Sequence, residues 1–417
     1  MITARTPMTM KKRSDHNIMA KNTNYFVDFH ALQTVPASNL NRDDTGSPKS
    51  MTFGGVRRAR VSSQAWKKAM RDYFVENYDE NESGVRTLEI PTMIADEIMR
   101  QQAEAVSTAG EAGAPVEDGQ QEAEARQLTR EEAEELAVEA LGYAGIKLAK
   151  ADKKTGRRQV AALLFVSRAQ VQNIAAIMLD GSLDDKERKN KVKDALRRGH
   201  AVDMALFGRM VADDPSLNVE AAAQVAHSLG VTAVTPEFDF YTAVDDHSLE
   251  DHAGSAMMGT IEYNSSTYYR YADVSLAQLM DNLGDPEAVG DAVGMFTKAF
   301  IEALPGGKQN TFAAQSLPSA VVVTVRAGRP VSYANAFVNP VRGGHNDSAQ
   351  AEAALVDYAE SVASAYDLRP VASFVLYLGD SRVRELGEGC SESELVAKIT
   401  DLAKSLVDAD GEHSEEA

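Results

Sequence analysis

The 417 residues include one cysteine and one tryptophan, and aromatic side chains make up only 6% of the chain. A single thiol, Cys390, excludes an internal disulfide framework and any metal centre built from several cysteines, and it fits a reducing cytoplasm. No apolar run approaches the length of a transmembrane helix, so no membrane contact is expected. The basic residues Lys11, Lys12 and Arg13 are followed by no apolar stretch, so Met1–Lys21 is not a secretory signal, and Met19 offers an alternative start just before the first strand. A Walker loop, a nucleophile elbow and Cys/His zinc spacing are all missing. Positive charge is scarce as well: 43 Lys and Arg stand against 62 Asp and Glu, for a net charge of −19.

The scarce positive charge is concentrated. Residues 1–75 carry 13 Lys and Arg against 5 Asp and Glu, a net of +8, which leaves −27 for the remainder. An acidic protein with one confined basic region does not coat nucleic acid indiscriminately, yet it can neutralise a defined set of phosphates. Within that region, Gly54-Gly55 supplies a turn, and Arg58, Arg60 and Ser62 alternate with Ala59 and Val61 at the period of a half-exposed strand. Ser62 or Ser63 then caps a helix whose buried stripe is Trp66, Ala69, Met70 and Tyr73, with Lys67, Lys68 and Arg71 on its flank. A guanidinium-bearing strand beside a helix N-terminus suits an anionic ligand. The alternative is that Arg57, Arg58 and Arg60 are solvated and pair with carboxylates.

Further along, Asn24–Gln33 reads as a strand and residues 39–51 as a polar loop. Residues 88–205 read as mostly helical, over Met93–Ala105, Thr129–Leu141, Val160–Leu179 and Asp184–Phe207. Val231–Tyr271 is strand-like, Pro286–Leu304 helical, Ala320–Arg326 a strand, Ser348–Tyr366 a helix and Ala372–Leu378 a last strand, before a solvated end at Ser414–Ala417. No internal repeat is present. The bare pattern is a β-α-β core with a helical insertion and a long hairpin.

Several short motifs stand in a fixed order: Leu40-Asn-Arg-Asp-Asp44, Phe53-Gly-Gly, Arg57-Arg58, Arg60-Val-Ser-Ser-Gln64, Lys67-Lys-Ala-Met-Arg71, Gly208-Arg-Met210, Phe240-Tyr-Thr-Ala-Val-Asp-Asp246, Tyr269-Arg-Tyr-Ala272, Leu276-Ala-Gln-Leu279, Pro305-Gly-Gly-Lys-Gln309 and Ala334-Asn-Ala-Phe337. Together they closely resemble the CasC backbone subunits of type I-E CRISPR Cascade complexes, a RAMP-type, RRM-like family, over residues 24–340. An N-terminal extension (1–23), the Ala/Glu-rich stretch of 101–140 and the C-terminal 60 or so residues match poorly or not at all. The resemblance implies an α+β fold: an RRM-like (ferredoxin-like) palm, a large helical finger insertion and a protruding β-hairpin thumb. The corresponding division is 24–87 for the first part of the palm, 88–205 for the fingers, 206–230 for the palm return, 231–272 for the thumb, 273–405 for the rest of the palm and 406–417 for an acidic tail.

The same resemblance implies a non-catalytic scaffold without a cofactor. Its partners would be a crRNA guide, target DNA, further copies of itself arranged head to tail, and other Cascade subunits. The implied RNA-binding residues are Asn41, Arg42, Arg57, Arg58, Arg60, Ser62, Ser63, Gln64, Lys67, Lys68, Arg71, Arg209, Met210, Tyr241, Thr242, Gly306, Gly307, Lys308 and Gln309. On the bland reading Met210, Tyr241 and Thr242 are core, whereas the family places residues here as wedges in the guide. Gly306-Gly307 either lets the backbone approach a phosphate, with Lys308 and Gln309 reaching for it, or caps a helix. Lys186, Lys189, Lys191 and Lys193 lie on a lysine-rich helix that either contacts DNA or is a solvated face laced with pairs such as Glu187–Lys191.

Two further function classes remain open. A metal-dependent RNA-processing nuclease would need clustered carboxylates, for which Asp43 and Asp44, or Asp245, Asp246, Glu250 and Asp251 with His247 and His252, are candidates. Solvated loop acids are the commoner case, and Asp43 and Asp44 are expected to pair with Arg42. His30 reads as a core or groove histidine. A protein-only scaffold docking acidic partners is the third possibility.

Overall fold

The computed structural model describes residues 24–111, 128–151, 156–243, 257–342 and 347–412. Strand β1 (Tyr25–Ser38) leads into a hairpin of β2 (Ser50–Phe53) and β3 (Val56–Val61), and then into helix α1 (Ser63–Asn77). A largely helical section follows: β4 (Val85–Thr87), α2 (Ile90–Glu111), α3 (Arg130–Tyr143), β5 (Leu164–Val166), α4 (Arg168–Leu179), α5 (Asp185–Arg197) and α6 (Val202–Phe207). The chain returns through β6 (Ala223–Val225), β7 (Ser228–Gly230), β8 (Glu237–Ala243), β9 (Met257–Ser275), α7 (Leu276–Leu283), α8 (Pro286–Glu302) and α9 (Gln309–Phe312). It ends with β10 (Ala320–Ala327), α10 (Asp347–Ala365), β11 (Ala372–Tyr377), β12 (Glu388–Gly389) and α11 (Glu392–Glu412).

The main sheet runs β12-β11-β10-β1-β9-β7-β3-β2. Its centre, β10-β1-β9-β7, with α1 between β1 and β7 in sequence and α8 between β9 and β10, has the β-α-β-β-α-β connectivity of the ferredoxin-like class. The protein is α+β, in agreement with the sequence. β1 is antiparallel to both neighbours, from Tyr25↔Ala327 to Leu32↔Ala320 on one side and from Phe26↔Ser275 to Ser38↔Asn264 on the other. β9 outruns the sheet, and its first half pairs with β8 from Glu237↔Tyr263 to Ala243↔Met257 as a two-stranded extension.

Alternation along β1 puts Tyr25, Val27, Phe29 and Ala31 into one core, against α8 and α11 and beneath α1. Phe29 packs on Phe296 and Phe300 at ring-centroid distances of 5.0 and 5.6 Å. Burying each such ring stabilises the fold by about 2–3 kcal/mol. A one-residue slip would put Asp28 and His30 into this apolar core and move the set to the other face, so the register is strongly specified. The α1 stripe is Trp66, Ala69, Met70 and Phe74; Tyr73 is only half-buried, because its hydroxyl reaches the Glu302 carboxylate at 2.6 Å.

The opposite face of the sheet is also buried. There α10 and the 331–338 segment cover Leu32, Tyr269 and Val322, and Tyr333 stacks on His30 at 4.2 Å. His30 Nδ1 is bonded to the Tyr269 hydroxyl at 2.8 Å, and burial drives the imidazole pKa well below its ordinary value. The aromatic face that an RRM would offer to bases is therefore part of the core here.

The helical section has its own core, formed by Ile90, Ile94 and Ile98 of α2, Ala133, Ala137, Ala140 and Leu141 of α3, Ile174 and Met178 of α4, and Val192 and Leu196 of α5. The alanines of the Ala/Glu-rich stretch thus pack α3 onto α2. Three expectations change. Val160–Leu179 is not one helix, because β5 pairs with β4 and α4 starts only after the Ser167 cap. Asp184–Phe207 divides where Arg198 adopts an extended conformation. The acidic tail does not begin at 406, because α11 continues to Glu412 and buries Leu406 and Val407 against the main core.

Directly opposite each other on β1 and β9 lie two buried acids, Asp28 and Asp273. Asp28 accepts from Arg326 Nε (2.8 Å), from the Val331 N–H (3.0 Å) and from the Tyr271 hydroxyl (3.0 Å). Asp273 has a buried oxygen without a partner, and desolvation raises its pKa to about 6. Because the folded-state pKa lies above the unfolded one, this group's stabilisation is complete below about pH 4 and is lost as the pH rises through about 6. Asp273→Asn should flatten the decline in stability between about pH 4 and 7, a difference on the order of 2 kcal/mol in denaturant titrations at the two pH values.

Candidate nucleic-acid interface

The basic strand does not present an uninterrupted guanidinium face. Arg57 is exposed, with Nε donating to Ser50 Oγ at 3.0 Å. Arg60 is half-exposed and contacts His227 Nδ1 at 2.9 Å and the Ser50 carbonyl at 3.4 Å. Arg58, by contrast, is fully buried, and its guanidinium donates to the carbonyls of Gly230 (3.0 Å), Val231 (2.7 Å), Phe337 (3.0 Å) and Val338 (3.4 Å). The expected RNA contact by Arg58 is corrected: strand alternation cannot reveal that a segment 280 residues away in sequence crosses over the side chain. Among the described residues, none of the three pairs with a carboxylate, which removes the solvated ion-pair alternative.

Ser62 is the cap of α1, its hydroxyl accepting from the Ala65 N–H. Its own N–H donates to Asn41 Oδ1 at 2.9 Å, so Asn41 ties the 39–49 loop to the helix start. Ser63 and Gln64 occupy the first turn, half-buried and exposed respectively. Lys67 lies 5.6 Å from the Phe207 ring centroid, and burial lowers its pKa from the ordinary lysine value. Lys68 is exposed and pairs with Asp72 at 2.6 Å. Arg71 is held by the buried Asp203 at 2.9 Å and over the Phe165 ring at 4.5 Å, so it joins α1 to α6 and β5 rather than standing ready for a phosphate.

Arg209 is likewise corrected. It is buried and donates to the carbonyls of Leu217 (2.9 Å), Phe165 (3.2 Å) and Leu196 (2.6 Å) and to Gln170 Oε1 (3.2 Å); desolvation lowers its pKa to about 10. Its backbone pairs with Val219, which turns the next side chain outward. Met210 is accordingly 83% exposed, contrary to the core reading.

A cleft of about 320 Å³ opens between the 42–47 loop, the root of the β8–β9 hairpin and the start of α9. Arg42, Tyr241 and Lys308, three expected site residues from distant parts of the chain, line it together with Thr45, Phe238, Thr260, Ile261 and Glu262. Its size is at the lower end of the ~300–1,000 Å³ range of small-molecule sites. Thr242 is exposed on the neighbouring strand position. Tyr241 lies across Gly259, where an added Cβ would come within 2.5 Å of the ring. Phe312 of α9 packs on Tyr263 at 5.6 Å and brings the Lys308 turn to the hairpin. Gly307 abuts the backbone of Asn39 and Leu40, where a Cβ would sit 2.3 Å from the Leu40 carbonyl oxygen, so its missing side chain serves loop packing rather than phosphate approach; Gly306 has open space around it. Lys308 adopts a left-handed conformation (φ 55°), and Gln309 Nε2 donates to the Pro305 carbonyl at 3.3 Å.

Asp43 does not pair with Arg42. Its Oδ1 accepts from the Thr45 hydroxyl (2.7 Å) and from the N–H groups of Thr45 (2.9 Å) and Ser47 (3.0 Å), which hold the carboxylate below its ordinary pKa. Asp44 is exposed. Among the described residues no group of three or more His, Cys, Asp or Glu could hold a metal ion, while Asp245, Asp246, Glu250, Asp251, His247 and His252 lie outside them. On α5, Lys186, Lys189 and Lys191 are exposed and form no ion pair among the described residues, whereas Lys193 is held by Asp214 at 3.0 Å. The expected Glu187–Lys191 pair is absent, because Glu187 completes a capping box with Asp184.

Sequence reasoning missed Phe238, 70% exposed, and Glu262. The alternation of Phe238, Phe240 and Thr242 carried a signal for the first; only the strand register brings the second opposite it.

The mixed α+β fold, a sheet with a separate helical section, is of the class found in chains of CRISPR RNA-guided surveillance complexes. The chain is 31% identical to one described as "CRISPR RNA-guided surveillance complex, pre-nicking", with a TM-score of 0.75 over 91% of this chain and 100% of that one. It is 26% identical to another, "CRISPR RNA-guided surveillance complex", with a TM-score of 0.65 over 90% and 99% of the two chains. The protein belongs to the CT1975-like protein family, whose model matches residues 27–404 and so includes the C-terminal stretch where the motifs are loose. None of the curated proteins matches significantly. The family resemblance read from the ordered motifs is met by both comparisons. Among the described residues no helix is long and apolar enough to cross a membrane.

Arg58→Met should cost on the order of 3 kcal/mol, because several buried carbonyls lose their donor; chemical denaturation reads this directly, and an unchanged midpoint would contradict the structural assignment. Gly259→Ala should displace the Tyr241 ring, seen as shifted ring resonances in NMR spectra, while changing stability in chemical denaturation by less than about 1 kcal/mol, since only an exposed side chain has to move.

Proposed function

We propose that the protein is the guide-RNA-binding backbone subunit of a cytoplasmic type I-E CRISPR surveillance complex, without catalytic activity of its own. The observation that supports this best is the convergence of Arg42, Tyr241 and Lys308 on one cleft. Cations for a backbone and aromatic surface for an unstacked base are what sequence-independent binding of single-stranded RNA requires. Arg42, Arg57, Arg60, Lys67 and Lys308 bind phosphates; Met210, Phe238 and Tyr241 contact bases pushed out of the stack. Arg58, Arg71 and Arg209 hold the frame. Copies assemble head to tail along the guide, an open heterologous contact whose extent the RNA length limits, and they join other subunits of the complex. The guide then pairs with target DNA, so base pairing reads sequence while the protein reads shape and charge. Lys186, Lys189 and Lys191 contribute phosphate contacts to that DNA.

The test is to purify the protein from its host and size the nucleic acid that accompanies it, then repeat with Arg42→Ala, Arg60→Ala, Lys67→Ala and Lys308→Ala combined. A discrete short RNA that disappears in the variant is expected. In vitro, RNA affinity should fall steeply with salt, each removed phosphate contact flattening the log–log slope by about 0.7. No RNA, or a random smear indifferent to the variants, would refute the proposal. Asp43→Ala should loosen its loop and weaken binding; loss of an RNA-cleaving activity with binding intact would instead establish the nuclease.

A further inference from the structure

The cleft contains one group that a polyanion site should not have. Glu262 lines it beside Arg42 and Lys308, and its carboxylate has neither an ion-pair partner nor a hydrogen-bond donor among the described residues. Its position is fixed on both sides. The Glu262 carbonyl accepts from Asn39 Nδ2 at 2.9 Å, which anchors this point of β9 to the loop carrying Arg42, and Phe238 lies directly opposite on β8. Of the acids on the neighbouring loop, Asp43 is occupied by its own loop donors and Asp44 is not among the residues lining the cleft, so Glu262 is the cleft-lining acid without a donor among the described residues.

An unpaired carboxylate repels phosphates, and a cleft serving only to attract them would bind better without it. It becomes favourable only if the ligand brings a hydrogen-bond donor to that point. Nucleic acids offer two kinds. Exocyclic base amines vary from position to position, and a protein that holds successive guide segments irrespective of sequence cannot rely on them. The ribose 2′-hydroxyl is present at every nucleotide of RNA and absent from DNA. Thr45 and Thr260, which also line the cleft, add hydroxyls of the same kind of reach.

We propose that Glu262 is the RNA-selecting residue of this cleft: its carboxylate accepts a hydrogen bond from the 2′-hydroxyl of the nucleotide whose phosphates are held by Arg42 and Lys308 and whose base lies against Phe238, its cross-strand neighbour. This rests on the guide-binding reading above. The carboxylate favours ribose by accepting a hydrogen bond from its 2′-hydroxyl and disfavours deoxyribose by repelling phosphates with nothing in return. One residue thereby both strengthens guide retention and discourages occupation of the guide site by single-stranded DNA.

The experiment measures affinities of the full chain at one fixed salt concentration for three oligonucleotides of the same sequence: RNA, 2′-fluoro RNA and DNA. The fluoro form keeps the ribose-like pucker but cannot donate, so it separates donation from shape. Wild type should rank RNA first. Glu262→Ala should lower RNA affinity about tenfold, the worth of one hydrogen bond to a charged group, while affinity for 2′-fluoro RNA and DNA rises about two- to threefold as the repulsion is removed. Glu262→Gln, which retains an acceptor oxygen, should recover part of the RNA affinity. If Glu262→Ala raises all three affinities by the same factor, the carboxylate is merely a surface acid and the inference falls, while the guide-binding reading stands. If wild type binds none of the three, or binds them indifferently to Arg42→Ala and Lys308→Ala, the guide-binding reading falls and this inference with it.

Discussion

The Arg58 guanidinium, buried among the carbonyls of Gly230, Val231, Phe337 and Val338, is the contact on which the remaining geometry depends. It joins the basic hairpin, the strand entering the thumb and the segment that covers the second face of the sheet. A lone buried charge is costly, but here the two terminal nitrogens of the guanidinium meet four backbone carbonyls and offset that cost without a counter-ion, leaving only Nε without a partner. The result is a rigid corner. From it the Arg57 and Arg60 side chains project outward, and against it Asn41 holds the loop that carries Arg42.

Two other buried arginines repeat the device. Arg209 ties β5, the end of α5 and the turn at Leu217 together through their carbonyls, and Arg270 stacks on the single tryptophan, Trp66, at 3.9 Å while donating to Gln33 Oε1 at 2.7 Å and to the Phe300 carbonyl. Arg58 and Arg209, which look like ligand contacts in sequence, thus serve as crosslinks between segments, as Arg270 does. Arginine is suited to this because its planar fork stays charged and distributes several donors over neighbouring acceptors. The cations left for a ligand are fewer than the composition suggests, and they surround a cleft in which aromatic and acidic side chains share the lining.

Covering both faces of the sheet has a functional consequence. With His30, Tyr269 and Tyr271 beneath Tyr333 and α10, bases have no sheet surface on which to stack. The cleft lies instead at the sheet's end, where the 42–47 loop, the hairpin root and the turn before α9 meet. That location explains why the implied site residues fall on loops and strand ends scattered between residues 41 and 309, and why only some of them arrive at the same place.

The sequence by itself determined the α+β class, the basic first quarter, the helix carrying Trp66 and the ordered motifs, because alternation, helical spacing and capping are local and leave a trace in consecutive residues. It also pointed to Arg42, Tyr241 and Lys308. Only the tertiary structure decided that these three share a cleft with Phe238 and Glu262, that Met210 faces outward, and that Arg58, Arg71 and Arg209 face inward. The reason is physical: whether an arginine meets water or a carbonyl depends on segments hundreds of residues away in the chain, and no local period records what crosses above a strand. The same holds for the end of α11, read as an acidic tail from residue 406 until Leu406 and Val407 are seen against the core.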